Sequence, residues 1–443
     1  MYRCQQNLMS MDKHLKAILE FICAESHQLT NCGIYYARQL DLKTQKIIGK
    51  FDLDKEYKNN KHYQVLSSQA AQQILKSIAE SLKSFKELNQ KSRKGELTDK
   101  PHLPKYIKKE GLFLVTYPKQ ALKWVDNQIR IPLGKTVKQW FGLDSFYLPT
   151  TSNLRFQEIK ELRILPRNHC FYVEFVYESK PVEIEVNPDN VLGLDSGLNN
   201  WLTGVSSLGT SFVIDGRHLK SVNRWYHKQV ATLKEGKPQG FWSTQLAKIT
   251  EKRNRKIRDA VNKAARLVIN QCLEHQRNKD QKEEGNLGKK NHQSFVSIAT
   301  AKLKKRMRQL CEQCGIKFIE TEESYTSKAS FLDNDSLPKF VEKPEGWQPS
   351  GKRTKRGLYR TAQNQYINAD ANGAANIIRK VSTTLNFDLS VVSRGVLTRP
   401  QKFQCWSAKK TRSPLGILRH LWVGEVKKTF IMEDNYSCYT LQK

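Results

Sequence analysis

No stretch of this chain approaches the roughly 18 consecutive apolar residues that a membrane-spanning helix needs, so a membrane span is excluded and no membrane partner is expected. The N-terminal segment MYRCQQNLMSMDKHLKAILEF lacks the apolar core and small-residue cleavage site of a secretory signal. A disulfide framework is missing too: nine cysteines, an odd number at irregular spacings, read as reduced thiols in a cytosolic compartment. Acids are scarce. Asp+Glu number 43 against 75 Lys+Arg, a formal net charge of +32. Charge on that scale speaks of partners rather than of fold, and the natural partner is a polyanion bound in a salt-dependent way. The expected location is the cytoplasm, in association with the nucleoid.

What is present falls into segments, and 443 residues allow two or three domains. Residues 12–40 carry Leu15, Ile18, Leu19 and Ile22 at helical spacing, with a break expected at Asn31 to Gly33. Lys55 to Tyr63 reads as a polar loop. An amphipathic helix follows from about Ser67 to Leu88, with Ala70, Ile74, Ile78, Leu82 and Phe85 on its apolar stripe. Gln90 to Pro104 reads as an exposed linker. Short strands then take over: GLFLVTY (111–117), QIRIPL (128–133), and the pair 156–167 and 170–179, joined as a hairpin at Asn168-His169. A helical insertion in a β-barrel-like domain thus precedes a boundary at Pro181 to Pro188.

Beyond that boundary, VLGLDSGLNN, WLTGVSS and SFVID read as an antiparallel meander, with Asp195 ending its first strand. Arg217 to Lys228 is basic with interleaved aromatics, a composition that suits single-stranded nucleic acid. Lys248 to Ala265 reads as a basic helix on which Lys252, Arg253, Arg255 and Lys256 cannot all be buried. RLVIN (266–270) reads as a buried strand, Phe295 to Cys314 contains a helix stopped by Gly315, and IKFIET (316–321) reads as another strand. Asp333 to Gly357 is a long loop ending in a basic patch of Lys352, Arg353, Lys355 and Arg356. A final helix begins at Asn368 or Asp370, with Ala374, Ala375, Ile377 and Ile378 on its apolar side. The tail, 383–443, shows no clear period.

Three strands, a helix, a strand, a helix, a strand and a final helix is the order of an α/β RNase H-like core. In that fold, acids from separate elements meet at one sheet edge and hold two divalent metals about 4 Å apart. Asp195, Glu323 and Asp370 are the candidates, and their oxygen donors suit Mg²⁺ or Mn²⁺.

VLGLDSGLNN, SYTSK and NADANGAANI, in that order, resemble the RuvC-like nuclease core of the TnpB (OrfB) family. These are RNA-guided DNA endonucleases of insertion sequences. The resemblance spans about Val191 to Lys380 and, more loosely, CQQN, NCGIYYARQL and HYQVLSSQAAQQILKSIAESLKSF upstream. It implies that Asp195 and Asp370 are the first and third catalytic, metal-binding acids. It also implies a guide RNA, a double-stranded DNA target read through an R-loop, and a short motif beside that target. Two departures stand out. Asn270 and Gln271 occupy the place where the family usually has its middle acid, which points instead to Glu323 just before the YTS motif, with Glu322 as fallback. The four-Cys zinc finger that usually follows that motif is missing, since Ser324 to Arg360 contains no Cys, so no zinc is expected. Lys352, Arg353, Lys355 and Arg356 are then expected to hold nucleic-acid backbone in its stead. Cys311-x-x-Cys314 lacks a second pair and reads as packing.

The expected organisation is an N-terminal recognition region at 1–184 (helical at about 12–92, β-rich at about 105–184), a RuvC-like nuclease domain at 185–382, and the tail. The expected function is RNA-guided, metal-dependent DNA cleavage. Its rivals are a catalytically inactive RNA-guided DNA-binding protein and a guide-independent transposase or resolvase; a plain RNA-binding protein would show no cleavage under any metal. Monomer and homodimer are both compatible with the sequence.

Overall fold

A computed structural model describes residues 2–97, 99–108, 111–149, 154–178, 190–274, 299–322, 324–339, 343–385 and 388–405. Residue contacts divide the chain into two compact units, 1–181 with 230–252, and 182–229 with 253–443. The expected boundary segment, Pro181 to Pro188, lies outside the described residues, as do most of the tail and Glu323.

The first unit opens with strand β1 (Tyr2–Leu8) and helix α1 (Lys13–Thr44), capped by the Asp12 carboxylate on the Leu15 N–H at 2.7 Å. The helix does not break at Asn31 to Gly33. Gly33 is where helix α4 (Ser68–Arg93) comes closest, and a Cβ there would lie 2.7 Å from Ile78 Cδ1. Asn31 is likewise occupied within the helix, its amide exchanging hydrogen bonds with the backbone of Ile107 at 2.8 and 3.1 Å. The glycine and asparagine that suggested a turn are tertiary contact points. Between α1 and α4, the expected loop at 55–63 is largely two short helices, α2 (Lys50–Tyr57) and α3 (Lys61–Val65). Charged residues cover their outer side, while Leu53, Tyr63 and Val65 are buried.

The β part of this unit forms two open sheets among the described residues, not a closed barrel. One has the order β1-β7-β6-β2, the other β3-β4-β5. Their strands are β2 (Val115–Pro118), β3 (Lys123–Val125), β4 (Gln128–Pro132), β5 (Ser145–Pro149), β6 (Ile159–Arg167) and β7 (Cys170–Glu178), with helix α5 (Lys135–Phe141) between β4 and β5. The β6–β7 hairpin turns at Asn168 and His169, with φ of 48° and 58°, the two-residue turn whose twist matches paired strands.

In the second unit, β8 (Leu192–Ser196), β9 (Asn200–Ser206) and β10 (Ser211–Asp215) form the expected antiparallel meander. Helix α6 (Arg217–Lys234) follows. Helix α7 (Thr244–Glu274) runs through RLVIN, which is therefore no strand. Buried Ile257, Ala260, Val261, Ala264, Ala265, Val268 and Ile269 keep a helical period across that segment, and this stripe outweighs a five-residue apolar run. Helix α8 (Thr300–Gln313) stops as expected, with Gly315 at φ 68° and the Ile316 N–H donating to the Cys311 carbonyl at 2.9 Å. IKFIET joins no sheet; its Ile316 and Phe318 pack half-buried against the core instead. The fourth strand of the sheet is β14 (Gln401–Phe403), parallel to β10 and drawn from the tail. The described part of the expected long loop is without helix or strand up to its basic end, where β11 (Lys352–Lys355) joins β12 (Leu358–Arg360) and β13 (Tyr366–Asn368) in a small sheet. It leads directly into helix α9 (Ala369–Leu385), which the short helix α10 (Arg394–Thr398) follows.

Candidate active site

The site is built where β8 crosses α9. Side chains alternate along a strand, so Gly193 and Asp195 share one face. That face meets α9. A Cβ on Gly193 would fall far inside contact with the Ala374 carbonyl and Ile378, so this position must be bare for strand and helix to touch. Two residues on, the Asp195 carboxylate lies over Gly373, where a Cβ would stand 2.9 Å from its Oδ2. Asp370 is one helical turn before Gly373, on the same side of α9. The two acids are therefore neighbours at one end of the sheet, although 175 positions separate them in the chain.

Asp370 is held firmly. The Asn368 side chain accepts the N–H groups of Asp370 and Ala371, both at 3.0 Å, and starts the helix. Of the Asp370 carboxylate, Oδ2 accepts from Asn200 Nδ2 at 2.7 Å and Oδ1 accepts from an Arg353 guanidinium nitrogen at 2.8 Å. Arg353 reaches it because β11, β12 and β13 are in register: Arg353 pairs with Tyr359 and Tyr359 with Ile367, three residues before the acid. Tyr359 and Ile367 are buried, and Arg353 shares their face of the ladder.

Of the remaining candidates, Glu322 is not brought to this pair. Its carboxylate pairs with Lys380 Nζ at 3.0 Å, and Lys380 stands about 15 Å beyond Asp370 along the helix axis at 1.5 Å per residue. Glu323 lies outside the described residues. Among the described residues no three His, Cys, Asp or Glu side chains converge closely enough to hold a metal. The two that do approach each other offer hard oxygen donors, and the protein's own guanidinium already sits on one of them. That donor set fits a cation of the Mg²⁺ or Mn²⁺ type.

The YTS segment is bound to α9 through side chains that sequence reasoning passed over. Asn376 Nδ2 donates to the carbonyls of Thr326 and Ala329 at 2.8 and 2.7 Å. Asn372 donates to Ala329 at 2.8 Å and accepts the Phe331 N–H at 3.0 Å. Both asparagines are fully buried. The visible signal was two Asn four apart within a run of alanines, where polar residues have no place unless they are paired.

The basic candidates divide. Lys252, Arg255 and Lys256 on α7 are exposed, as are Lys352, Lys355 and Arg356 on and beside β11. Arg253 instead packs inward on α6, donating to Asn223 Oδ1 at 2.9 Å, with its guanidinium 5.2 Å from the Tyr226 ring centre. Cys311 and Cys314 are buried thiols outside any disulfide, and burial pushes Cys311 up to about 12. The described residues contain no helix long and apolar enough to cross a membrane.

Residues 174–278 match the family model of the OrfB proteins of IS605 type, described as "Probable transposase". No curated protein matches the chain. Among solved structures, the chain is similar to one from a complex of Cas12f1 with sgRNA and target DNA, at 14% identity over 83% of each chain and a TM-score of 0.50. A second, from a CRISPR-Cas12f ternary complex, aligns over 83% of this chain and 82% of that one at 13% identity, with a TM-score of 0.29 too low to bear on the fold. The sheet and the helix laid across it belong to the fold that this chain shares with the first of these structures. The OrfB match runs from β7 through α7 and so takes in β8, the strand that carries Asp195.

Proposed function

We propose that this protein is an RNA-guided, divalent-metal-dependent DNA endonuclease encoded by an insertion sequence, cutting DNA beside a short adjacent motif. The observation that carries this reading is the seat of Asp195 on Gly373, one turn from Asp370. Two carboxylates from distant parts of a strongly basic chain gain nothing from that proximity unless a cation joins them, because like charges repel. Asp195 and Asp370 would hold Mg²⁺ or Mn²⁺, with Glu323 as the third donor. The bound metals would supply Lewis-acid activation of a phosphodiester and of the attacking water. The chain's own part is to orient: Asn200 fixes Asp370, Gly373 admits Asp195, and exposed Lys252, Arg255, Lys256, Lys352, Lys355 and Arg356 hold nucleic-acid backbone. The Cas12f1 complex that shares the fold contains a guide RNA and a target DNA, and partners of these two kinds suit a chain of +32.

The test is to purify the protein with its co-expressed flanking sequence, recover a discrete RNA, and assay cleavage of a matching duplex with Mg²⁺. Asp195→Ala should keep the RNA and stop the cut; a variant that still cuts overturns the reading. One observation favours a second reading, a guide-carrying DNA-binding protein without cleavage: Glu322 is committed to Lys380. That protein would hold RNA and DNA equally well and leave the duplex intact in every metal.

A further inference from the structure

Asp370 offers two oxygens to two unlike donors. Asn200, on Oδ2, opens β9 inside the antiparallel sheet and follows Asp195 after a tight turn. In that turn the Gly197 N–H donates to the Trp201 carbonyl at 3.3 Å, and a Cβ on Gly197 would collide with the Asn200 carbonyl. Asn200 is thus fixed relative to Asp195 by backbone. Arg353, on Oδ1, stands on a short strand whose four residues are all exposed, and its own side chain is 44% exposed. An ion pair so open to water is weak and readily exchanged.

We propose that the two donors divide the labour at Asp370. Asn200 is a positioning residue that keeps Oδ2 in place, and Arg353 is an exchangeable cation that holds Oδ1 until a divalent metal takes its place. This rests on the metal-site reading above. The physical basis is the difference in charge. A neutral amide N–H orients a ligating carboxylate without competing for it, as outer-shell donors do in metal sites. A guanidinium and a divalent ion instead need the same lone pairs, so one must yield. The doubly charged ion makes the stronger claim on a carboxylate oxygen, by Coulomb's law at equal distance.

The two residues must therefore move metal affinity in opposite directions, although both touch one carboxylate. The probe is Mn²⁺ alone, titrated into the full-length protein by calorimetry, with Asp195→Ala and Asp370→Ala defining which binding event is the site's. Asn200→Ala and Asn200→Ser should weaken that event about 10- to 100-fold. Arg353→Ala and Arg353→Gln should strengthen it by up to about fivefold, the range of an exposed ion pair. A thermal unfolding midpoint for each variant shows that it is folded, and Arg353, on an exposed strand, tolerates replacement. Weaker or unchanged binding in both Arg353 variants overturns the exchange, and unchanged binding in both Asn200 variants overturns the positioning role. Mn²⁺ binding that ignores Asp195→Ala and Asp370→Ala would instead overturn the metal site itself.

Discussion

Gly373→Ala should separate stability from function. The added Cβ would stand 2.9 Å from Asp195 Oδ2 and 3.5 Å from its Cγ, closer to the oxygen than real Cβ atoms come. The atom in the way is the far end of a side chain, so the carboxylate rather than the backbone gives way. To reach the 3.4 Å where ordinary contact begins, it must retreat by about 0.5 Å, which is the tolerance of a working constellation. Because a misplacement of about 1 Å costs about 100-fold, half of that should cost on the order of tenfold in Mn²⁺ affinity and in cleavage. The helix meanwhile gains: alanine in a helix interior is better than glycine by roughly 0.5–1 kcal/mol. The expected variant unfolds at the wild-type temperature or slightly above it, yet binds Mn²⁺ about tenfold more weakly. Thermal unfolding by circular dichroism and Mn²⁺ titration on the same preparation check it. Wild-type Mn²⁺ affinity would refute the reasoning, because Asp195 would then not work from this seat. A loss of more than about 2 kcal/mol in stability would refute it differently, by showing that the backbone and not the carboxylate yields.

Three further outcomes follow from the same geometry. Asn372→Ala removes a buried donor to Ala329 and a buried acceptor for Phe331. The Ala329 carbonyl keeps its bond from Asn376, so only the Phe331 N–H is orphaned; at about 1–3 kcal/mol for such a group, stability in urea should fall by that much, and a change below about 0.5 kcal/mol would show that the YTS segment is not clamped this way. Glu322→Gln should leave Mn²⁺ binding at the acid pair intact, since Glu322 is paired with Lys380, while Glu323→Gln should weaken it. The reverse result would make Glu322 the third donor. Burial raises the Cys311 thiol to about 12, whereas an unfolded thiol ionises near 8.5. Between those values the native state binds more protons, so stability is complete below about pH 8.5 and falls by up to about 1.4 kcal/mol per pH unit toward 12. Urea unfolding at pH 8 and 10 should show that fall, and Cys311→Ala should reduce it by one thiol's share, because burial raises Cys272 and Cys405 in the same way.

Local pattern made much of the fold legible. Strand alternation placed β6, β7 and the β8–β10 meander. Helical period placed α4 and α8, and Gly315 marked a stop whose φ of 68° needs a glycine. What failed was decided by distant partners. Gly33 looked like a turn because nothing nearby announces that α4 presses against it. RLVIN looked like a strand because the stripe that makes it helical begins at Ile257, outside the run itself. IKFIET has strand composition, yet the edge beside β10 is taken by Gln401–Phe403, and no local feature shows which segment wins a sheet edge. The candidate acids Asp195 and Asp370 could be named from motif order, and α9 brings them close. Asn200 and Arg353 could not, because their roles lie in hydrogen bonds spanning 170 and 17 positions.

Helix geometry explains why the NADANGAANIIRK stretch carries so much of the signal. At about 100° per residue, α9 presents three faces within ten residues. Asp370 and Gly373 fall on one, which receives Asp195. Ala371, Ala374, Ala375 and Ile378 fall on the second and join the core. Asn372, Asn376 and Arg379 fall on the third and hold the segment from Thr326 to Asp335 by its carbonyls. Every face has a partner, so no position from Asp370 to Ile378 is simply solvent-facing filler. A site made this way cannot drift without disturbing the core, since moving the acid by one residue would turn an alanine toward Asp195 and an asparagine into apolar packing.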